Sequence, residues 1–169
     1  MERTAAGYEL TAPDHPAANV VWLRLPPSRS YSSFHSVFDL VAKSQPGEPT
    51  VLTIAFGHFA TLWFSELCTL AIWPDRREAC LTETLSYREP YELRQTRDLV
   101  PRRQIDSLRA GADGNEVVVQ HLRGEVLLSF NRAQAVVVSD LLPVRGSLAL
   151  GMMPGTRLLC RRLEILAPR

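Results

Sequence analysis

EVVVQHLRGEVLLSFNRAQAVVVSDLL, residues 116–142, carries the pattern on which the fold class turns. Two alternating, β-branched runs flank the dipeptide Arg123-Gly124, and strands joined by a short glycine-containing turn form a hairpin. Asn131 with Gln134 three residues on has the form of a capping box, which predicts a helix from Asn131 to the stop at Pro143. Val136, Val137 and Val138 run against that helix. Each β-branched residue there costs roughly a few tenths of a kcal/mol relative to alanine, so burial has to outweigh propensity. The strand–turn–strand–helix unit predicts a mixed α+β domain rich in antiparallel strands.

Upstream, residues 1–18 read as an N-terminal arm and 19–169 as a single α+β domain. Asn19–Leu25 (NVVWLRL) is a first strand, stopped by Pro26-Pro27. Phe34, Val37, Phe38 and Val41 fall at i, i+3, i+4 and i+7, which predicts a helix over Ser33–Ser44 closed by Pro46-Gly47. Thr50–Tyr87 divides into the strands VLTIAF, FATLWFS, CTLAIW and ACLTETLSY, with Gly57-His58 as one turn and Pro74–Arg77 as another. A helix over Phe59–Trp73 is the rival, because Phe59, Leu62, Trp63, Leu67 and Leu70 also fit a helical period. The Thr, Trp, Phe, Ile and Cys content favours the strand meander. PRRQIDSLRAG (101–111) predicts a short helix with Pro101 in its first turn. Pro154-Gly155 turns the chain into a final strand, TRLLCRRLEIL. The expected fold is therefore an antiparallel, β-rich α+β domain, a meander plus a hairpin, with two or three helices.

The totals narrow the function classes. The 169 residues carry 19 basic and 18 acidic side chains, a net charge of +1 that gives no whole-molecule pull toward nucleic acid or acidic membranes. Lys43 is the only lysine. An arginine bias suits bidentate recognition of anions, but GC-rich codon usage produces the same bias. Cys68, Cys80 and Cys160 have apolar neighbours and no CxxC or zinc-finger spacing, which predicts buried thiols in a reducing compartment and no metal. The N-terminus lacks the order of a signal peptide, and the apolar stretch around Phe59–Trp73 is interrupted by polar residues, so a cytoplasmic protein with no membrane span is expected.

No nucleophile–base pair, phosphate loop or metal motif is present. His58, beside Gly57, and the pair His35 and Asp39 are the candidates for a dispersed acid–base site; His15 and His121 stand apart. The compact basic pairs are Arg76-Arg77, Arg102-Arg103 and Arg161-Arg162. With Trp63 and Trp73 they form the candidate binding set, and beside Trp22 or Tyr87 they would track a phosphate backbone while rings stack bases.

Ala6–Leu10 (AGYEL) resembles the AGYDL opening motif of trimeric dUTP diphosphatases over five residues. That family's later motifs are missing, so no residue role follows from it. The order of elements is similar to that of small dimeric secretion chaperones, and the 116–142 unit resembles the sheet-plus-helix modules of Whirly-type proteins; no residue motif accompanies either. These readings favour a non-catalytic protein-interaction module of inhibitor, chaperone or adaptor type, presenting a sheet face or edge to a protein partner or to a second copy in a homodimer. The alternatives are a single-stranded nucleic-acid binder and an enzyme with a site near His58. No cofactor is implied.

Overall fold

The computed structural model describes residues 2–12, 21–24, 33–42, 50–60, 64–87, 93–110, 114–122, 125–139 and 147–166. The strands are β1 (Glu2–Thr4), β2 (Gly7–Thr11), β3 (Val21–Arg24), β4 (Ser33–Ala42), β5 (Leu52–Ala60), β6 (Phe64–Trp73), β7 (Glu78–Tyr87), β8 (Leu93–Gln104), β9 (Asn115–Leu122), β10 (Glu125–Phe130), β11 (Ala133–Val138), β12 (Ser147–Met152) and β13 (Arg157–Leu166). They form two antiparallel sheets, a seven-stranded one ordered β1-β2-β13-β4-β9-β10-β11 and a six-stranded one ordered β3-β12-β5-β6-β7-β8. Strand alternation gives each sheet one apolar face, and two such faces close on each other as a β-sandwich.

The core follows from register. Leu150, Ile54, Leu70 and Leu81 stand opposite one another across β12, β5, β6 and β7, each no more than 1% exposed. Val117, Val126, Leu128 and Phe130 line the inner face of the larger sheet and belong to the same buried cluster. Each such side chain contributes about 1.5–3 kcal/mol through removal from water.

The predicted α+β class is overturned. Among the described residues there is no α-helix; the single helical turn is a 3₁₀ turn at Pro74–Arg76. Ser33–Ala42, expected to be helical, is β4, paired along both edges with β13 and β9. Its Phe and Val positions fit a helical stripe by coincidence of spacing, while their β-branched and aromatic types suit a strand. The segment after Asn131 is β11. Asn131 and Arg132 have φ of 51° and 70° and form the two-residue connection of the β10–β11 hairpin, the left-handed pair that such hairpins prefer. Pro101–Gln104 continues β8, and Ile105 and Leu108, 5% and 1% exposed, then join the buried core instead of extending a helix.

The four strands expected over Thr50–Tyr87 are three, β5, β6 and β7, to which the unexpected β8 adds a fourth, and Phe64–Trp73 is one strand, not part of a helix. Gly57 and His58 are not a turn. They lie inside β5, where the pairing with β6 is irregular between Phe56 and Phe59. Glu2–Thr11, within the expected arm, supplies β1 and β2. The turn at Arg123-Gly124 lies outside the described residues, while Glu125 pairs with Leu122 on either side of it.

One inward position of the smaller sheet is charged. Glu83 is 5% exposed and lies beside Cys68 in register, and its carboxylate meets Arg97 Nη2 at 2.8 Å. Removing the partner of a buried charge is more harmful than never having the pair. Arg97→Met is expected to cost about 2 kcal/mol, discounted from the fully buried case because the guanidinium reaches water. In a double-mutant cycle by urea denaturation, adding Glu83→Leu should recover most of that loss; additive losses would show that the pair is not the cause.

Cys160, on the inner face of β13, donates to the Arg162 carbonyl at 3.5 Å, and burial pushes its thiol up to about 11. An unfolded thiol ionises lower, so the folded state holds this proton more tightly. The stabilisation is present below pH 9 and falls away as pH rises from 9 toward 11. Cys160→Ala should flatten that part of the stability–pH curve relative to the wild type, and an unchanged slope would count against the assignment.

Candidate functional site

The outer face of the smaller sheet is built by strand alternation. In β6, Cys68, Leu70 and Ile72 point into the core, and Leu67, Thr69, Ala71 and Trp73 point away from it. In β7 the outward residues are Glu78, Cys80, Thr82 and Thr84. The Pro74–Arg77 turn folds β6 onto β7 so that Trp73 stands directly opposite Glu78. Arg77 closes this turn in the left-handed region at φ 53°, its amide donating to Pro74 O at 3.0 Å.

Arg102 completes the group. Its guanidinium carbon sits 4.1 Å from the centre of the Trp73 ring. Its Nε donates to Glu78 Oε2 at 2.7 Å, and Nη2 donates to the same oxygen. A guanidinium carries five N–H donors, so most of them stay outside this ion pair. Stacking on the ring and the carboxylate bond together fix the plane of the guanidinium, an arrangement in which arginine is not replaceable by lysine.

The neighbouring hydroxyls extend the polar surface. Thr82 Oγ1 donates to Thr69 O at 3.4 Å, and the Thr84 and Thr96 hydroxyls meet at 3.4 Å. Asp98 stands opposite Thr82 in register. Burial raises the Cys80 thiol pKa; a backbone hydrogen bond at Ala71 opposes this, Asp98 adds to it, and Arg102 opposes it.

The predicted binding residues are divided by the fold. Trp73, Arg76, Arg77 and Arg102 come together at one end of the smaller sheet, with Arg76 and Arg77 exposed on the turn. Arg103 is turned away. The β7–β8 pairing is irregular between Ala79 and Leu81, and Arg103, opposite Ala79, donates through Nη2 to Ala135 O of β11 at 2.7 Å. The two members of one basic pair therefore serve different faces: Arg102 the outer surface, Arg103 a link between the free edges of the two sheets. Arg161 and Arg162 lie in β13 of the larger sheet, where Arg162 pairs with Glu164 at 2.9 Å. Trp63 lies outside the described residues. His35 and Asp39 are in β4 of the larger sheet and His58 is in β5 of the smaller one.

Glu78, Thr82 and Asp98 are not among the residues that the sequence singled out. Folding the hairpin symmetrically about Pro74–Arg77 would have found Glu78 as the partner of Trp73.

No family model matches this sequence, and no curated protein matches it. Solved structures do match its fold. Sheep galectin-11 in complex with glycerol aligns with a TM-score of 0.55 at 9% identity, over 88% of this chain and 98% of that one. The carbohydrate-binding module CBM66 from Bacillus subtilis aligns at 0.57 and 7% identity, over 96% and 98%. A glycoside hydrolase family 16 endo-glucanase from Bacteroides ovatus aligns at 0.60 and 8% identity, over 94% and 80%.

At these identities the likeness is one of fold: a galectin-like, jelly-roll β-sandwich. It overturns the expected interaction module, which rested on a helix-flanked α+β sheet similar in order to the secretion chaperones. The single-strand nucleic-acid reading fails on the same ground, since its sheet-plus-helix unit does not exist and its arginine pairs are split between faces and sheets. The dispersed enzyme site loses its helical His35–Asp39 face.

Proposed function

We propose that this chain is a glycan-binding domain and that the outer face of the smaller sheet, around Trp73, Glu78 and Arg102, is its binding surface. The observation that carries the reading is the stacked ion pair itself. Sugar hydroxyls donate and accept at once, so they need adjacent acceptors and donors held at fixed angles. The Glu78 carboxylate and the remaining Arg102 N–H groups supply both, and the half-buried indole under the guanidinium holds them in place. The fold-level neighbours, a galectin, a carbohydrate-binding module and a glucanase, support the same class by analogy. Cys68 and Cys160 are buried and Cys80 half-buried, with no disulfide among the described residues, which supports a reducing setting for the domain.

Affinity electrophoresis in gels containing mixed-linkage β-glucan, galactan, alginate or κ-carrageenan tests the reading. Retardation of the wild type by at least one polysaccharide is expected. Trp73→Ala should weaken that binding about tenfold or more, the loss typical of an aromatic anchor. Unretarded migration in all four gels, or full retardation of the variant, would overturn it.

A further inference from the structure

Among the described residues, four strands end the two sheets: β1 and β11 in the larger, β3 and β8 in the smaller. An end strand offers unpaired N–H and C=O groups to any extended chain, and folded proteins counter this by shortening or charging it. Three of the four follow that rule. β1 and β3 have three and four residues. β8 carries Arg94, Arg97, Asp98, Arg102 and Arg103 together with Pro101. β11 differs. Its six residues, AQAVVV, hold no charge, no proline and no glycine, the composition that pairs most readily with copies of itself. Val137 in the middle of the valine run is 47% exposed.

The charge that β11 lacks comes from β8. Arg103 Nη2 donates to Ala135 O at 2.7 Å. Ala135 is the residue that the β10–β11 register leaves over, since Ser129 pairs with Gln134 and Leu128 with Val136. Such an extra residue interrupts the ladder and bends its strand. Arg103 reaches it from opposite the buried Ala79, next to the irregularity in the β7–β8 pairing. One irregularity in each sheet therefore meets the other at a single charge-assisted hydrogen bond.

We propose that Arg103 guards the edge of β11 against pairing with a second copy of this chain. A strand approaching that edge has to break a bond stronger than a neutral one. It also has to bury a guanidinium beside backbone N–H groups, with no counter-charge brought by the incoming uncharged strand. Without the guanidinium, two β11 edges related by a two-fold axis form one continuous antiparallel sheet. The inference is independent of the glycan-binding reading.

Sedimentation velocity of Arg103→Met, which keeps the apolar stem and removes the donors, tests this. The wild type should sediment as a monomer at every concentration. The variant should shift to a concentration-dependent dimer or larger species, with slower hydrogen exchange at the β11 amides and a cooperative melt showing the fold intact. Adding Val137→Lys, which sets like charges on the two paired edges, should return the monomer. A variant that stays monomeric, or a dimer that Val137→Lys leaves unchanged, would overturn the proposal. If Arg103→Met does not fold, the wild type alone decides. Monomers whose β11 amides exchange equally fast at low and high concentration support the guard, and a dimer that protects those amides refutes it.

Discussion

Asn131→Ala is expected to lower the unfolding free energy by about 3 kcal/mol, among the largest effects available from a single side chain outside the core. The side chain ties three segments together. Its Oδ1 accepts from Glu116 N at 2.9 Å, and its Nδ2 donates to Asn115 Oδ1 at 2.9 Å and to the Ser107 carbonyl. Asn115, 7% exposed, is itself bonded through Oδ1 and Nδ2 to the backbone of Arg109, at 2.9 and 3.0 Å. Truncation strands these part-buried groups, each at a cost of about 1–3 kcal/mol unless water reaches it. The backbone at φ 51° adds a second penalty for alanine. Asn131→Gly separates the two terms: it keeps the left-handed turn, loses the hydrogen bonds, and should recover about 1 kcal/mol of the loss. Equal stabilities for the two variants in urea denaturation would assign the whole effect to the side chain and refute the backbone part.

Gly7→Ala should be comparably damaging, for a different reason. Gly7 opens β2 with φ +141°, and a Cβ there would lie 2.5 Å from Cys160 O and 2.9 Å from Arg161 Cα. Both are backbone atoms of β13, the neighbouring strand, so no rotamer change relieves the clash. The strain and overpacking together amount to about 3 kcal/mol. It acts at the margin of the larger sheet, where β2 pairs with β13 from Arg157↔Thr11 to Cys160↔Tyr8 and Arg157 bonds to Glu9. The expected result is release of β1 and β2 ahead of the rest. Hydrogen exchange should show faster exchange at Tyr8–Thr11 and at Leu158–Cys160, with β5–β7 unchanged. Uniform acceleration across both sheets would mean that the clash destabilises the whole fold instead.

These two positions show where sequence patterning holds and where it fails. The β9–β10 hairpin, the strand character of β5–β7, the turn at Pro74–Arg77 and the final strand were legible, because alternation and turn chemistry are local properties of the chain, whereas the Gly57-His58 turn was misplaced inside β5. Asn131 was legible as a residue that satisfies backbone donors. Its partner was not. A capping side chain and a left-handed hairpin asparagine both sit before an apolar run and both accept from a nearby amide, and three residues of sequence do not distinguish them. The valines at 136–138 did carry the distinction, since β-branching favours the strand. For β4, a helical stripe and a strand paired on both edges place phenylalanine and valine in the same order.

By itself, then, the sequence determined the β9–β10 hairpin, the core-forming types and the neutral balance of charge, because each depends on composition or on neighbours a few residues apart. The pairing of β4 with β13, the closing of two sheets face to face, and the separation of Arg102 from Arg103 were decided only by the tertiary structure. Each requires contact between segments far apart in the chain, and an irregularity of pairing in β8 sets which way an arginine points. The candidate site belongs to this second group. Trp73 and Arg102 were visible as residues, but the stacked pair with Glu78 exists only once β6, β7 and β8 lie side by side.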